Sequence, residues 1–201
     1  MLCTPNYEEG SDPYTLGPIS LTLQAPAILF ITGGNGSGKS TLAKILCGLY
    51  IPDTGTICLD GKPVGNHNRE AYRQLFSVVF YDFYLFDTLL GLEDREIDEA
   101  AQSYLRRLSI DDKVCVREGC LSTTHLSSGQ CRRLALLAAK LEDSPICVFD
   151  EWAADQDASF KARFYQELIQ DLKNNGKIVI IISHDDSYFS VADQVIKLED
   201  G

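Results

Sequence analysis

The chain has 201 residues, of which 45% are hydrophobic and 23% charged, with a formal net charge of -11. That length supports one domain with a sizeable core, and a dispersed acidic excess is a poor footprint for gripping nucleic acid by its phosphates. No apolar run approaches the roughly 20 residues that span a bilayer, and no charged-then-apolar leader opens the chain. Any connection to a membrane is therefore expected to run through another polypeptide segment.

Taken in order, residues 19–23 alternate apolar with polar and read as a strand. Residues 27–31 are wholly apolar and read as a buried strand, followed by glycine-rich sequence and a stretch from Thr41 with helical apolar spacing. A short strand at 56–59 enters a tight Asp60-Gly61 turn, and one or two helical turns fit 69–74. Residues 75–80 form a second apolar strand. An aromatic cluster follows, with Tyr81, Phe83, Tyr84 and Phe86 punctuated by Asp82 and Asp87. Helical spacing returns over 93–109, lapses over 111–124, and resumes behind Leu126-Ser127-Ser128-Gly129-Gln130. A strand at 146–149 ends in Asp150-Glu151, an amphipathic helix covers 158–173, and a strand at 178–182 ends in Ser183-His184-Asp185. A short helix and a strand at 195–198 close the chain. Nearly all-apolar strands alternating with helices argue an α/β fold, a mostly parallel sheet covered on both faces. The seven cysteines form no C-x-x-C pair and have no histidine at ligand spacing. They read as small hydrophobes in a reducing compartment.

Gly33-Gly34-Asn35-Gly36-Ser37-Gly38-Lys39-Ser40 fits G-x-x-x-x-G-K-[ST] between a strand and a helix, the context of a phosphate-binding loop. Gly33, Gly36 and Gly38 permit the tight turn, and backbone N–H groups of the loop, Asn35 and Ser37 included, can face an anion. The following helix adds the positive end of its dipole. Lys39 adds a full charge, worth about 4 kcal/mol per phosphate charge at ~4 Å and an effective dielectric near 20. Ser40 carries a hydroxyl where such loops hold Mg²⁺, and Thr41 can reach the next phosphate inward.

In such sheets ligands gather at the carboxyl ends of the strands. Asp150, directly after a buried strand, can hold Mg²⁺ through water. Glu151 points differently and can polarise an attacking water as general base. His184 can donate to developing charge or hold the water in line. Singly these are a solvated turn and a structural histidine; together with the glycine loop, in this order, they point to nucleotide hydrolysis.

These motifs, and the run Leu126-Ser127-Ser128-Gly129-Gln130 that resembles the signature L-S-G-G-Q, make the chain similar nearly end to end to the nucleotide-binding domain of ATP-binding cassette (ABC) proteins. The resemblance implies a phosphate-loop NTPase core over about 1–85 and 142–201, with a small antiparallel β part and a helical subdomain over about 86–141. It implies ATP and Mg²⁺ as cofactors, and a second copy paired head-to-tail around two ATPs. Ser127 and Gly129 would bind the γ-phosphate held by that opposite copy, with Gln130 also at the nucleotide. Tyr7 resembles the aromatic that stacks on adenine, with Tyr14 the weaker match. Asp150 matches the Mg²⁺-site Asp, Glu151 the catalytic Glu and His184 the switch histidine. Asp157 matches the Asp that closes the loop between copies. Lys39 completes the catalytic set.

Most cassettes carry Gln where this chain has Tyr81, and an aromatic ring cannot copy an amide; Asp82, one place on, is the alternative carboxylate for the metal. The wording from Asp150 to Asp157, 80–87 and 183–189 resembles bacterial exporters of siderophores and of cyclic or lipopeptide products. The expected function is the MgATP-driven motor of such an exporter. It would sit at the cytoplasmic face of the membrane beside a membrane domain, fused or separate, with no nucleic-acid partner. A soluble cassette acting on ribosomes or DNA, and a nucleotide sensor without turnover, are the rivals. Tyr7 lies almost at the start and residues 198–201 stop where relatives continue, so a domain trimmed from a longer membrane protein is expected.

Overall fold

The computed structural model describes the backbone of residues 2–3, 15–89 and 95–199. Its centre is a five-stranded sheet in the order β11-β3-β10-β9-β6, every neighbouring pair parallel. The strands are β3 (Ala27–Gly33), β6 (Phe76–Val79), β9 (Ile146–Asp150), β10 (Ile178–Ile182) and β11 (Gln194–Leu198). Parallel neighbours require long crossovers, and the intervening sequence supplies them as helices. These are α1 (Lys39–Leu46), α2 (Arg69–Arg73), α3 (Arg95–Arg107) and α4 (Ser128–Leu141). A last crossover runs through α5 (Ala158–Arg163), a π-helical turn (Phe164–Leu168) and α6 (Ile169–Asn174).

Period-2 alternation divides the sheet residues between two cores. Ile28, Phe30, Phe149, Val179 and Ile181 face the core shared with Leu105, Leu136 and Phe164. Leu29, Ile31, Val148, Ile180 and Ile182 face the core shared with Leu42 and Ile45 of α1. Each fully buried Leu, Ile or Phe contributes roughly 1.5–3 kcal/mol, so an apolar strand face on either side is a strong constraint on register.

Three two-stranded ladders are peripheral: β1 (Leu2–Cys3) with β2 (Thr15–Leu16), β4 (Cys58–Leu59) with β5 (Lys62–Pro63), and β7 (Val116–Arg117) with β8 (Cys120–Leu121). The turn between β4 and β5 has positive φ at both Asp60 (49°) and Gly61 (74°), which matches the twist of a tight hairpin. The β7–β8 hairpin lies in the segment whose sequence shows no period, since two-residue strands are too short to display one.

One expectation is corrected. Residues 19–23 do not form a strand. Ile19, Leu21 and Leu23 do pack on the second core, so the alternation reports burial, but no described strand pairs with them. Alternation sets which side chains face inward; a ladder needs a neighbour as well. Among the described residues no helix is long and apolar enough to cross a membrane.

Candidate functional site

The glycine loop leaves β3 and enters α1 at the carboxyl edge of the sheet, as its position after a buried strand requires. Gly33 is forced by close approach: a Cβ there would sit 2.3 Å from the Leu198 carbonyl oxygen and 2.6 Å from Ser37 Oγ. Gly38 precedes α1 with φ 87° and caps it with no side chain, so the first N–H groups of the helix are left to face outward. Lys39 is only 7% exposed. Its Nζ donates to the carbonyls of Gly34 (2.7 Å) and Gly33 (3.1 Å), which folds the ammonium back over the loop.

Asp150 and Glu151 come next to it because β9 pairs with β10 in a register that sets Asp150 opposite Ile182. Burial pushes the Asp150 carboxyl up, while the Ser40 hydroxyl and the charges of Lys39 and Lys44 oppose that rise; Asp82 adds to it, which puts Asp82 within electrostatic reach. Glu151 has φ 49°, a left-handed backbone that costs a non-glycine residue free energy and is common at functional sites. Its carboxyl is raised by burial first, with the nearby His184 the largest opposing influence. His184 Nε2 lies 3.0 Å from Glu151 Oε1, but the alignment falls short of a hydrogen bond. Ser37 Oγ, Asp150 Oδ1 and Glu151 Oε1 are therefore buried polar atoms with no hydrogen-bond partner. Buried polar groups are rarely left so, and an orphaned trio beside a buried ammonium fits a ligand and a cation. A phosphate chain with its Mg²⁺ matches this donor and acceptor set.

The run 126–130 takes another course. Ser127 caps α4, accepting from the Gln130 amide, while the Gln130 side chain accepts from the Ser127 amide: a full capping box. Ser128, where L-S-G-G-Q has glycine, donates its hydroxyl to Asp155 Oδ2 at 2.6 Å. Gly129 is forced, since a Cβ would sit 2.6 Å from the Asp155 carbonyl oxygen, and its own carbonyl accepts from Gln156 Nε2 at 2.9 Å. The contacts of this run are thus with the turn behind Glu151. Asp157 caps α5 by accepting from the Phe160 amide and pairs with Arg133 at 3.1 Å. Its carboxyl is held below the usual range by that amide bond first, with Arg133 assisting.

Tyr7 and Tyr14 lie outside the described residues. Tyr81 is 61% exposed and stacks under the Arg132 guanidinium, 4.9 Å from ring to carbon. Arg132, Trp152 and Asp155 carry much of the site's framework without standing out in the sequence. Arg132 was nonetheless detectable as a charge on the Arg132, Leu136, Ala139 face that α4 buries.

The ABC transporter family profile matches residues 16–154. The ATP-binding protein SyrD of Pseudomonas syringae pv. syringae is 52% identical over 201 residues, covering 98% of this chain and 36% of that protein. An ATP-dependent lipid A-core flippase of Alkalilimnicola ehrlichii is 31% identical, covering 97% and 35%. The chain thus spans about a third of the length of these two relatives. Among solved structures, the dimeric post-hydrolysis state of the ATP-binding cassette MJ0796 bound to ADP and Pi superposes with a TM-score of 0.80 at 22% identity, covering 99% of this chain and 93% of that one. The chain belongs to the ABC transporter family and has the fold of an ATP-binding cassette.

Proposed function

We propose that this cassette is the MgATP-hydrolysing motor of an exporter of peptide- or siderophore-like molecules, working as a head-to-tail pair around two ATPs. The observation that carries the hydrolytic reading is the orphaned trio Ser37 Oγ, Asp150 Oδ1 and Glu151 Oε1 beside Lys39. Loop N–H groups from Gly33 to Thr41, Asn35, Gly36 and Gly38 among them, cradle the phosphates, and Lys39 neutralises the terminal ones. Ser40 and Asp150, with Asp82 nearby, would hold Mg²⁺, whose charge offsets that developing on the phosphate oxygens. Glu151 accepts a proton from the attacking water as its oxygen bonds to the γ-phosphorus and the bond to the ADP oxygen breaks. Its carboxyl is raised by burial, which suits a base that must take up a proton. His184 orients that carboxylate.

The opposite copy would present Ser127, Gly129 and Gln130 to the γ-phosphate, with Asp157 near the joint and Tyr7 on the adenine. The whole of 1–201 acts as one cassette with its helical part over about 86–141. Tyr84 and Phe86, both exposed, border a cavity of about 280 Å³ between β6 and α4, a seat for a helix of the membrane domain on the cytoplasmic side. That SyrD and the lipid A-core flippase are each about three times longer than this chain supports a fused membrane domain. The test is phosphate release: the chain with MgATP turns over, and Glu151→Gln stops turnover, keeps binding and traps a dimer on size exclusion. Normal hydrolysis by that variant would overturn the assignment.

A further inference from the structure

We propose that Arg132 is a positioning residue for Glu151, and that Tyr81 steers it, so that a ring and a guanidinium join the loop after β6 to the hydrolytic turn. This rests on reading Glu151 as the general base. Arg132 is 3% exposed, an uncommon depth for a guanidinium. It grips residues 151–155 from several directions. Its Nη1 donates to the Glu151 carbonyl at 3.3 Å and its Nε to Asp155 Oδ2 at 2.9 Å. Its own carbonyl accepts from the Trp152 indole at 2.8 Å. Glu151, at φ 49°, is held in a conformation that persists only when its surroundings fix it, and Arg132 supplies that constraint.

The guanidinium carbon also lies 4.9 Å from the centre of the Tyr81 ring and 5.8 Å from that of Phe83. Phe83 is packed on the core, whereas Tyr81 is largely exposed at the start of the segment that runs on to Tyr84 and Phe86. A shift of that segment moves Tyr81, and through the cation–ring contact it moves Arg132 and the backbone of Glu151.

The test uses the 201-residue chain with MgATP and four variants: Tyr81→Ala, Tyr81→Phe, Arg132→Gln and the double Tyr81→Ala, Arg132→Gln. The loss of one partly desolvated cation–ring contact corresponds to about a fivefold change. Tyr81→Ala is therefore expected to lower kcat about fivefold with KM unchanged, and Tyr81→Phe, which keeps the ring, restores it. Arg132→Gln lowers kcat further, and the double variant is no slower than Arg132→Gln alone, because both act through one link. Independent, multiplicative losses would overturn the proposal, as would a Tyr81→Phe variant as slow as Tyr81→Ala. The chain's single tryptophan gives a readout free of turnover: the Trp152 indole N–H resonance should move in Tyr81→Ala and return in Tyr81→Phe. A resonance indifferent to Tyr81 sinks the link. A wild-type chain that fails to hydrolyse ATP sinks instead the proposed function, and the resonance still judges the link. Should Arg132→Gln fail to fold, the exposed Tyr81 pair decides by itself.

Discussion

Two helices of this chain begin beside glycine and serine, and their N-termini are built oppositely. At α1, Gly38 leaves the first N–H groups without a side-chain cap, and a buried lysine adds charge. At α4, Ser127 and Gln130 satisfy each other's amides in a capping box. The first terminus is open to an anion. The second uses an Oγ lone pair of Ser127 on the Gln130 amide, which leaves the hydroxyl hydrogen free to donate to another molecule. The chain thus pairs an uncapped, positively charged terminus at α1 with a terminus at α4 that is capped by its own side chains.

The largest way to break this contrast is Lys39→Ala. At about 4 kcal/mol of charge interaction, nucleotide affinity should fall about 10³-fold on titration calorimetry; unchanged affinity would remove the cradle from the account. Glu151→Gln should cut phosphate release by about 10² to 10⁴ while leaving that affinity intact. Gly129→Ala comes next. Its Cβ would lie 2.6 Å from the Asp155 carbonyl oxygen, so chemical denaturation should show a loss of about 1–3 kcal/mol, with α4 parted from the turn. Ser127→Ala removes the cap and should cost about 1 kcal/mol, with nucleotide affinity of the single chain unaltered. An affinity loss in that variant would mean that α4 already serves the nucleotide of its own chain.

The smallest effect sharpens the comparison through pH. Asp155 is held below the usual carboxylate range by the Ser128 hydroxyl first and Arg132 second. A depressed folded pKa adds stability that is present above the unfolded value of about 4 and lost as pH falls through the folded one. Asp155 is partly exposed, so solvent screens much of the gain. Ser128→Gly should therefore shrink the stability difference between pH 6 and pH 3 slightly, as read by thermal melts.

Much of this was legible because it is carried by local pattern. The five apolar strands, the glycine loop and the Ser127 cap follow from runs, spacing and residue chemistry within short windows. The strand over 19–23 was misread, because its alternation reports a buried side without disclosing whether a neighbour completes a ladder. The β7–β8 hairpin escaped because two-residue strands have no period. Arg132 escaped for a different reason: its meaning depends on Tyr81, Glu151 and Asp155, which only the folded chain assembles around it. Of the expected ligands, Tyr7 lies outside the described residues, whereas Asp82 does come within electrostatic reach of Asp150.

The closeness of Gly33 to the Leu198 carbonyl has a bearing on biosynthesis. The edge strand that buttresses the phosphate loop is synthesised after the other four strands of the sheet, and the Ile28 amide finds Asp193 Oδ2 across 165 positions of sequence. Such distant pairing closes late. A nascent chain therefore holds its nucleotide loop unbraced until β11 docks, long after the motif itself has been made.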